Sequence, residues 1–135
     1  MAKGRVLIID DHELDRRLST LDLEHAGYSV TEAGNVTDAL ERLAKGAYDV
    51  IVLDITMPGT DGLTFLRGLK SGDKLSQIPV VMLTASDDLD EQLQAMASGA
   101  VRYIVKPTHH DVLVSTIESV LAEVRGSHGG HPSTG

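Results

Sequence analysis

The chain has 135 residues, 41% hydrophobic and 24% charged, which is apolar material for one compact domain and too little for two. It contains no cysteine, so disulfides, thiolate metal sites and cysteine nucleophiles are excluded, and a reducing, cytoplasmic setting is expected. The formal charge of −8 runs against the basic footprint of a protein that binds nucleic acid or an anionic membrane directly, and 3% aromatic residues leave few rings to stack on bases or flavins.

The opening MAKGRVLIID carries only a short apolar run that ends on acid, which is neither a signal peptide nor a membrane span. Its part from Arg5 to Asp10 predicts a first strand. Leu14, Leu18 and Leu21 follow at helical spacing, and Gly27 stops that helix. Ser29 to Ala33 is half polar, as an edge strand is. Asp38 to Lys45 then predicts a second helix, with Leu40, Leu43 and Ala44 on one side and Gly46 closing it. Asp49 to Asp54 is a nearly unbroken β-branched run, and after the turn-rich Pro58 to Gly62 a helix is marked by Leu63, Leu66 and Leu69. Ile78 to Thr84 predicts the fourth strand, and Leu89, Leu93, Met96 and Ala97 the fourth helix, ending at Gly99. Val101 to Lys106 predicts the fifth strand. The last helix opens on Thr108 and Asp111, spaced like a capping box, and runs through Val124. Residues 126–135 (GSHGGHPSTG) hold no apolar side chain and are expected to be a disordered tail behind a domain of residues 1–125. Strand and helix alternate five times, which implies an α/β fold: a parallel sheet with right-handed crossovers and helices on both faces.

Open α/β sheets bind ligands beyond the carboxyl ends of their strands. The first strand closes on Asp10 and Asp11, the third on Asp54, the fourth on Thr84 and the fifth on Lys106. A single Asp at such a place is commonly a helix cap, but polar residues closing consecutive apolar strands are poorly explained by capping. Three converging carboxylates repel one another and call for a cation, and oxygen-only donors select a hard one, with Mg²⁺ the usual choice. Lys106 adds an ammonium suited to phosphate and Thr84 a hydroxyl donor. Around one carboxylate, that set suits a phosphoryl group carried on Asp54 as an aspartyl phosphate. His12 reads as a solvated residue at a helix start.

These stretches resemble the receiver domain of bacterial two-component response regulators. VLIIDDHELDRRL, DVIVLDITMPGTDGLTFLRGLK, IPVVMLTA and GAVRYIVKP carry the resemblance, which covers Arg5 to about Val124. It implies a five-stranded, flavodoxin-like doubly wound sheet of order 2-1-3-4-5. It implies Asp54 as phospho-acceptor, Asp10 and Asp11 as the acidic pair that holds Mg²⁺ with Asp54, and the Thr56 carbonyl as a further ligand. Lys106 and Thr84 would contact the phosphoryl group, Thr84 and Tyr103 would form the switch, and Pro107 would follow a cis peptide bond. Where family members often have Phe after the Lys-Pro step, this chain has Thr108 and then His109 and His110. Thr56 and Ser86, two residues past Asp54 and Thr84, are small and polar, so an unshielded phosphate without an unusually long life is expected.

The resemblance implies a signalling switch that catalyses its own phosphorylation and dephosphorylation rather than a conventional enzyme. A sensor histidine kinase or histidine phosphotransfer protein would donate, and the surface of the fourth helix, fifth strand and fifth helix would act on a downstream protein, on a second copy or within a longer parent. Three alternatives are weaker. An aspartate-nucleophile phosphatase usually has a second Asp where Thr56 stands. A flavin carrier would have a Ser/Thr/Gly-rich loop in place of Asp10 to Glu13. A receiver-like module that works without phosphorylation usually lacks one of the five site residues that are all present here. A P-loop enzyme is excluded because GxxxxGK[ST] is absent.

Overall fold

A computed structural model describes residues 2–57, 61–72 and 74–129, with side chains of 127–129 excepted. Five strands alternate with five helices: β1 (Arg5–Ile9), α1 (Glu13–His25), β2 (Ser29–Ala33), α2 (Val36–Lys45), β3 (Val50–Leu53), α3 (Gly62–Ser71), β4 (Val80–Thr84), α4 (Leu89–Ala97), β5 (Arg102–Val105) and α5 (His110–Gly129). A 3₁₀ turn at Leu75–Gln77 precedes β4. The sheet has the order β2-β1-β3-β4-β5 and all four pairings are parallel, as the sequence implies. The half-polar β2 is indeed an edge strand.

Strands buried on both faces need apolar residues at every position, and β3 (VIVL) and β4 (VVMLT) are buried throughout. Alternate side chains feed two cores. Leu7, Ile9, Ile51, Leu53 and Met82 meet Leu43 of α2 and Phe65, Leu66 and Leu69 of α3. Val6, Ile8, Val52, Val81 and Leu83 meet Leu23 of α1 and Leu113, Ile117 and Leu121 of α5.

Several boundaries differ from the sequence reading. β1, β3 and β5 stop at Ile9, Leu53 and Val105, each one residue early, so Asp10, Asp54 and Lys106 stand just beyond the ladder. α2 starts at Val36 because the Asn35 side chain accepts from the Asp38 amide at 2.8 Å and caps the helix. α5 starts at His110, where the Asp111 carboxylate meets the His109 ring at 2.7 Å, and it continues to Gly129, past the expected end at Val124. The leucine stripe of α1 faces outward: Leu14, Leu18 and Leu21 are 71%, 52% and 56% exposed, while Thr20 and Leu23 are buried. Leu89, Leu93 and Met96 of α4 are likewise exposed, and Ala95 is its buried residue. Among the described residues no helix is long and apolar enough to cross a membrane.

Candidate functional site

Parallel pairing aligns the carboxyl ends of β1, β3, β4 and β5, so the residue after each strand arrives at one edge of the sheet. Asp10 and Asp54 are 4% and 1% exposed there, and Thr84 is fully buried. The loop after β3 is pinned beside them. The Gly62 amide donates to the Ile55 carbonyl at 2.8 Å. A Cβ on Gly62 would lie 2.4 Å from the Asp54 carbonyl oxygen and 2.6 Å from Ile55 Cα, so only glycine allows α3 to start this close. The middle of that turn, Pro58 to Thr60, lies outside the described residues.

Lys106 reaches back across the edge. Its Nζ is 2.8 Å from Asp10 Oδ2, 3.1 Å from Asp15 Oδ2 and 3.6 Å from Asp54 Oδ2. The Thr56 amide donates to Asp54 Oδ1 at 3.1 Å. Asp54 Oδ2 and Asp11 Oδ1 are buried atoms without a hydrogen-bond partner among the described residues. The Tyr103 hydroxyl donates to the Ser86 carbonyl at 2.9 Å, and the Ser86 amide donates to Thr84 Oγ1 at 3.3 Å, so the loop after β4 links the two. The Ser86 hydroxyl bonds Glu91 of α4. The peptide bond between Lys106 and Pro107 is cis.

His12 is exposed at the start of α1, as the sequence suggested, but its ring also turns toward the carboxylates. It holds the N-cap position of α1 without capping it. Its amide donates to Asp10 Oδ1 at 2.9 Å, and this tight turn brings the ring back over the carboxylates. Nδ1 lies 2.9 Å from Asp10 Oδ1, 3.2 Å from Asp11 Oδ1 and 3.3 Å from Asp54 Oδ2. Asp15, on the first turn of α1, is the second residue the sequence reading passed over, and only tertiary packing brings it to Lys106.

The two buried carboxyls titrate in opposite directions. Burial pushes Asp54 above the ordinary carboxylate value and the Asp10 charge adds to that, against the Thr84 hydroxyl, Lys106 and the Thr56 amide. Burial acts on Asp10 too, but hydrogen bonds from Lys106 and His12 outweigh it and hold Asp10 below the ordinary value. The same contacts overcome burial to raise Lys106, and the hydrogen bond to Asp10 raises His12.

The donor set fits a divalent ion. Two buried oxygens lack a partner, and three carboxylates against one ammonium leave excess negative charge. One carboxylate of high burial, an adjoining acidic pair, a lysine and a hydroxyl together make an edge built to handle a charged oxygen-rich group.

Residues 6–118 match the family of the response regulator receiver domain, and the chain belongs to that family. It is 36% identical over 123 residues to the chemotaxis protein CheY of Pseudomonas aeruginosa, covering 90% of this chain and 99% of that protein. It is 39% identical over 123 residues to the uncharacterized transcriptional regulatory protein YkoG of Bacillus subtilis, covering 91% of this chain but only 53% of the relative. Among solved structures, the chemotaxis response regulator CheY4 of Vibrio cholerae superposes with a TM-score of 0.80 at 31% identity, over 89% of this chain and 98% of that one.

Proposed function

We propose that the chain is a phosphorylation-activated switch of a two-component phosphorelay, with Asp54 as the acceptor. The observation that carries this reading is the Asp54 Oδ2 atom, buried without a hydrogen-bond partner among the described residues, at the sheet edge where Asp10, Asp11, Thr84 and Lys106 converge. An Asp54 oxygen attacks the phosphorus of a phosphohistidine. The O–P bond forms as the N–P bond breaks, and the electron pair leaves with the donor imidazole. Lys106 neutralises charge on the transferred group, and the Thr84 hydroxyl donates to one of its oxygens. Mg²⁺, held by Asp10, Asp11, Asp54 and the Thr56 carbonyl, would supply neutralisation and orientation of the phosphoryl oxygens.

The donor is a sensor histidine kinase or a histidine phosphotransfer protein. In support, Leu18 of α1 is exposed on the same groove as Lys106. Leu18 lines a groove of about 680 Å³ with Lys106, Pro107 and Leu113, which suits an apolar helix face bringing its histidine to Asp54. Phosphorylation then biases the Thr84–Ser86–Tyr103 linkage and with it the face of α4, β5 and α5, where Leu89, Leu93, Met96 and Val105 are exposed to a downstream protein or a second copy. The reading places the protein in the cytoplasm, with no direct contact to nucleic acid or membrane.

Phosphoramidate, a small N–P donor, tests this without a cognate kinase. Intact mass after incubation with Mg²⁺ should show one added phosphoryl group in the wild type and none in Asp54→Asn. Uptake by the variant at the wild-type rate overturns the assignment. If the folded wild type takes up nothing from phosphoramidate or from any phosphohistidine donor, a phosphorylation-independent binding module replaces it.

A further inference from the structure

We infer that His12 is a metal ligand, so that the edge forms a mixed oxygen–nitrogen centre that prefers a first-row transition ion such as Mn²⁺ to Mg²⁺. The inference deepens the proposed function, because it takes Asp10, Asp11 and Asp54 as the ion-holding set. One potential ligand atom from each of Asp10, Asp11, His12 and Asp54 lies within 4.8 Å of the other three. Octahedral ligands about 2.1 Å from an ion are separated by edges of about 3.0 Å. The distances from Nδ1 to the three oxygens, 2.9, 3.2 and 3.3 Å, match that edge, so the ring already stands where a fourth ligand of a shared ion would stand.

Two further observations point the same way. Crowding does not force the ring inward, because the His12 side chain is 50% exposed and open water is available to it. A single Nδ1–H can also satisfy only one acceptor, and the oxygens of Asp11 and Asp54 that face the ring remain without a hydrogen-bond partner among the described residues. An ion at the point these atoms share would meet all of them at once. Oxygen donors alone suit Mg²⁺ and Mn²⁺ alike, whereas an added imidazole nitrogen favours the transition ion of the two. The Lys106 ammonium holds the other Asp10 oxygen, which keeps Oδ1 turned to the shared point.

Mn²⁺ added to the full chain provides the test. Electron spin-echo spectra of the bound ion should show the nitrogen coupling of a ligated imidazole. His12→Ala and His12→Gln should both abolish the coupling, with far-ultraviolet circular dichroism unchanged. By calorimetry either substitution should weaken Mn²⁺ by about tenfold and Mg²⁺ by less than about twofold. A bound Mn²⁺ without nitrogen coupling, failure of Mn²⁺ to bind, or equal weakening of both ions would overturn the inference. Phosphoryl uptake with Mg²⁺ is scored separately. Nitrogen coupling without uptake leaves His12 as a ligand and removes the phosphorelay reading, while uptake without coupling does the reverse.

Discussion

Leu53 and Asp54 are consecutive, equally buried, and opposite in what burial does to them. Leu53 is 0% exposed and ends an unbroken apolar strand, whereas Asp54 at 1% carries a carboxylate oxygen with no hydrogen-bond partner among the described residues. The same step recurs from Ile9 to Asp10 and from Leu83 to Thr84. In the strand interiors, removal from water stabilises each side chain; at the carboxyl edge it opposes the charge. A sheet made only for stability would cover that edge with apolar residues. The contrast separates the part of the molecule that holds the fold from the part held ready for chemistry.

Breaking the interior has the largest effect. Leu53→Ala should lower unfolding free energy by about 2–5 kcal/mol, read from urea titration, because it opens a void in the core on β3, between its sheet neighbours Ile9 of β1 and Met82 of β4. Gly62→Ala comes next. The added methyl meets Asp54 and Ile55 backbone at 2.4–2.6 Å, and relieving that overlap should cost about 1–3 kcal/mol and abolish phosphoryl uptake by displacing the loop.

At the edge the signs diverge. Asp10→Asn breaks the 2.8 Å bond to Lys106 and should destabilise the metal-free protein by about 1.5–3 kcal/mol at neutral pH. Because the Asp10 pKa is lowered in the folded state, its stabilisation is present above its unfolded value of 3.8 and is lost as pH falls through the folded value. Asp54→Asn should instead raise the melting temperature of the metal-free protein. The folded pKa of Asp54 lies above 3.8, so ionising it destabilises the fold in full above the folded value. The advantage of Asp54→Asn therefore shrinks as pH falls through that value toward 3.8. Thermal unfolding of both variants between neutral and acid pH checks the pair. If both substitutions shift stability in the same direction at neutral pH, the contrast between the two carboxyls is wrong.

Most of the fold was legible because parallel strands need continuous apolar runs, and RVLII, VIVL and VVMLT supply them. Orientation of the helices was less legible. Periodicity reveals an apolar stripe but not what it faces: Leu14, Leu18 and Leu21 mark α1 correctly, yet the helix packs through Thr20 and Leu23. The site showed itself where each apolar run met a polar residue, which brought out Asp10, Asp54, Thr84 and Lys106 together. His12 and Asp15 gave no such signal. The place of His12 depends on a turn in which its own amide bonds Asp10, and that of Asp15 on how the first turn of α1 meets the end of β5. The helix past Val124 was missed because the sequence there lacks apolar residues, and α5 continues on backbone geometry to Gly129.

Asp54, a buried carboxylate with one oxygen that accepts no hydrogen bond among the described residues, is the proposed acceptor. Borohydride reduces an acyl phosphate of aspartate to homoserine, so reduction of the phosphorylated protein followed by peptide mass mapping names the residue. Homoserine at position 54 is the predicted result. Homoserine at position 10 or 11, with Asp54 intact, would contradict it.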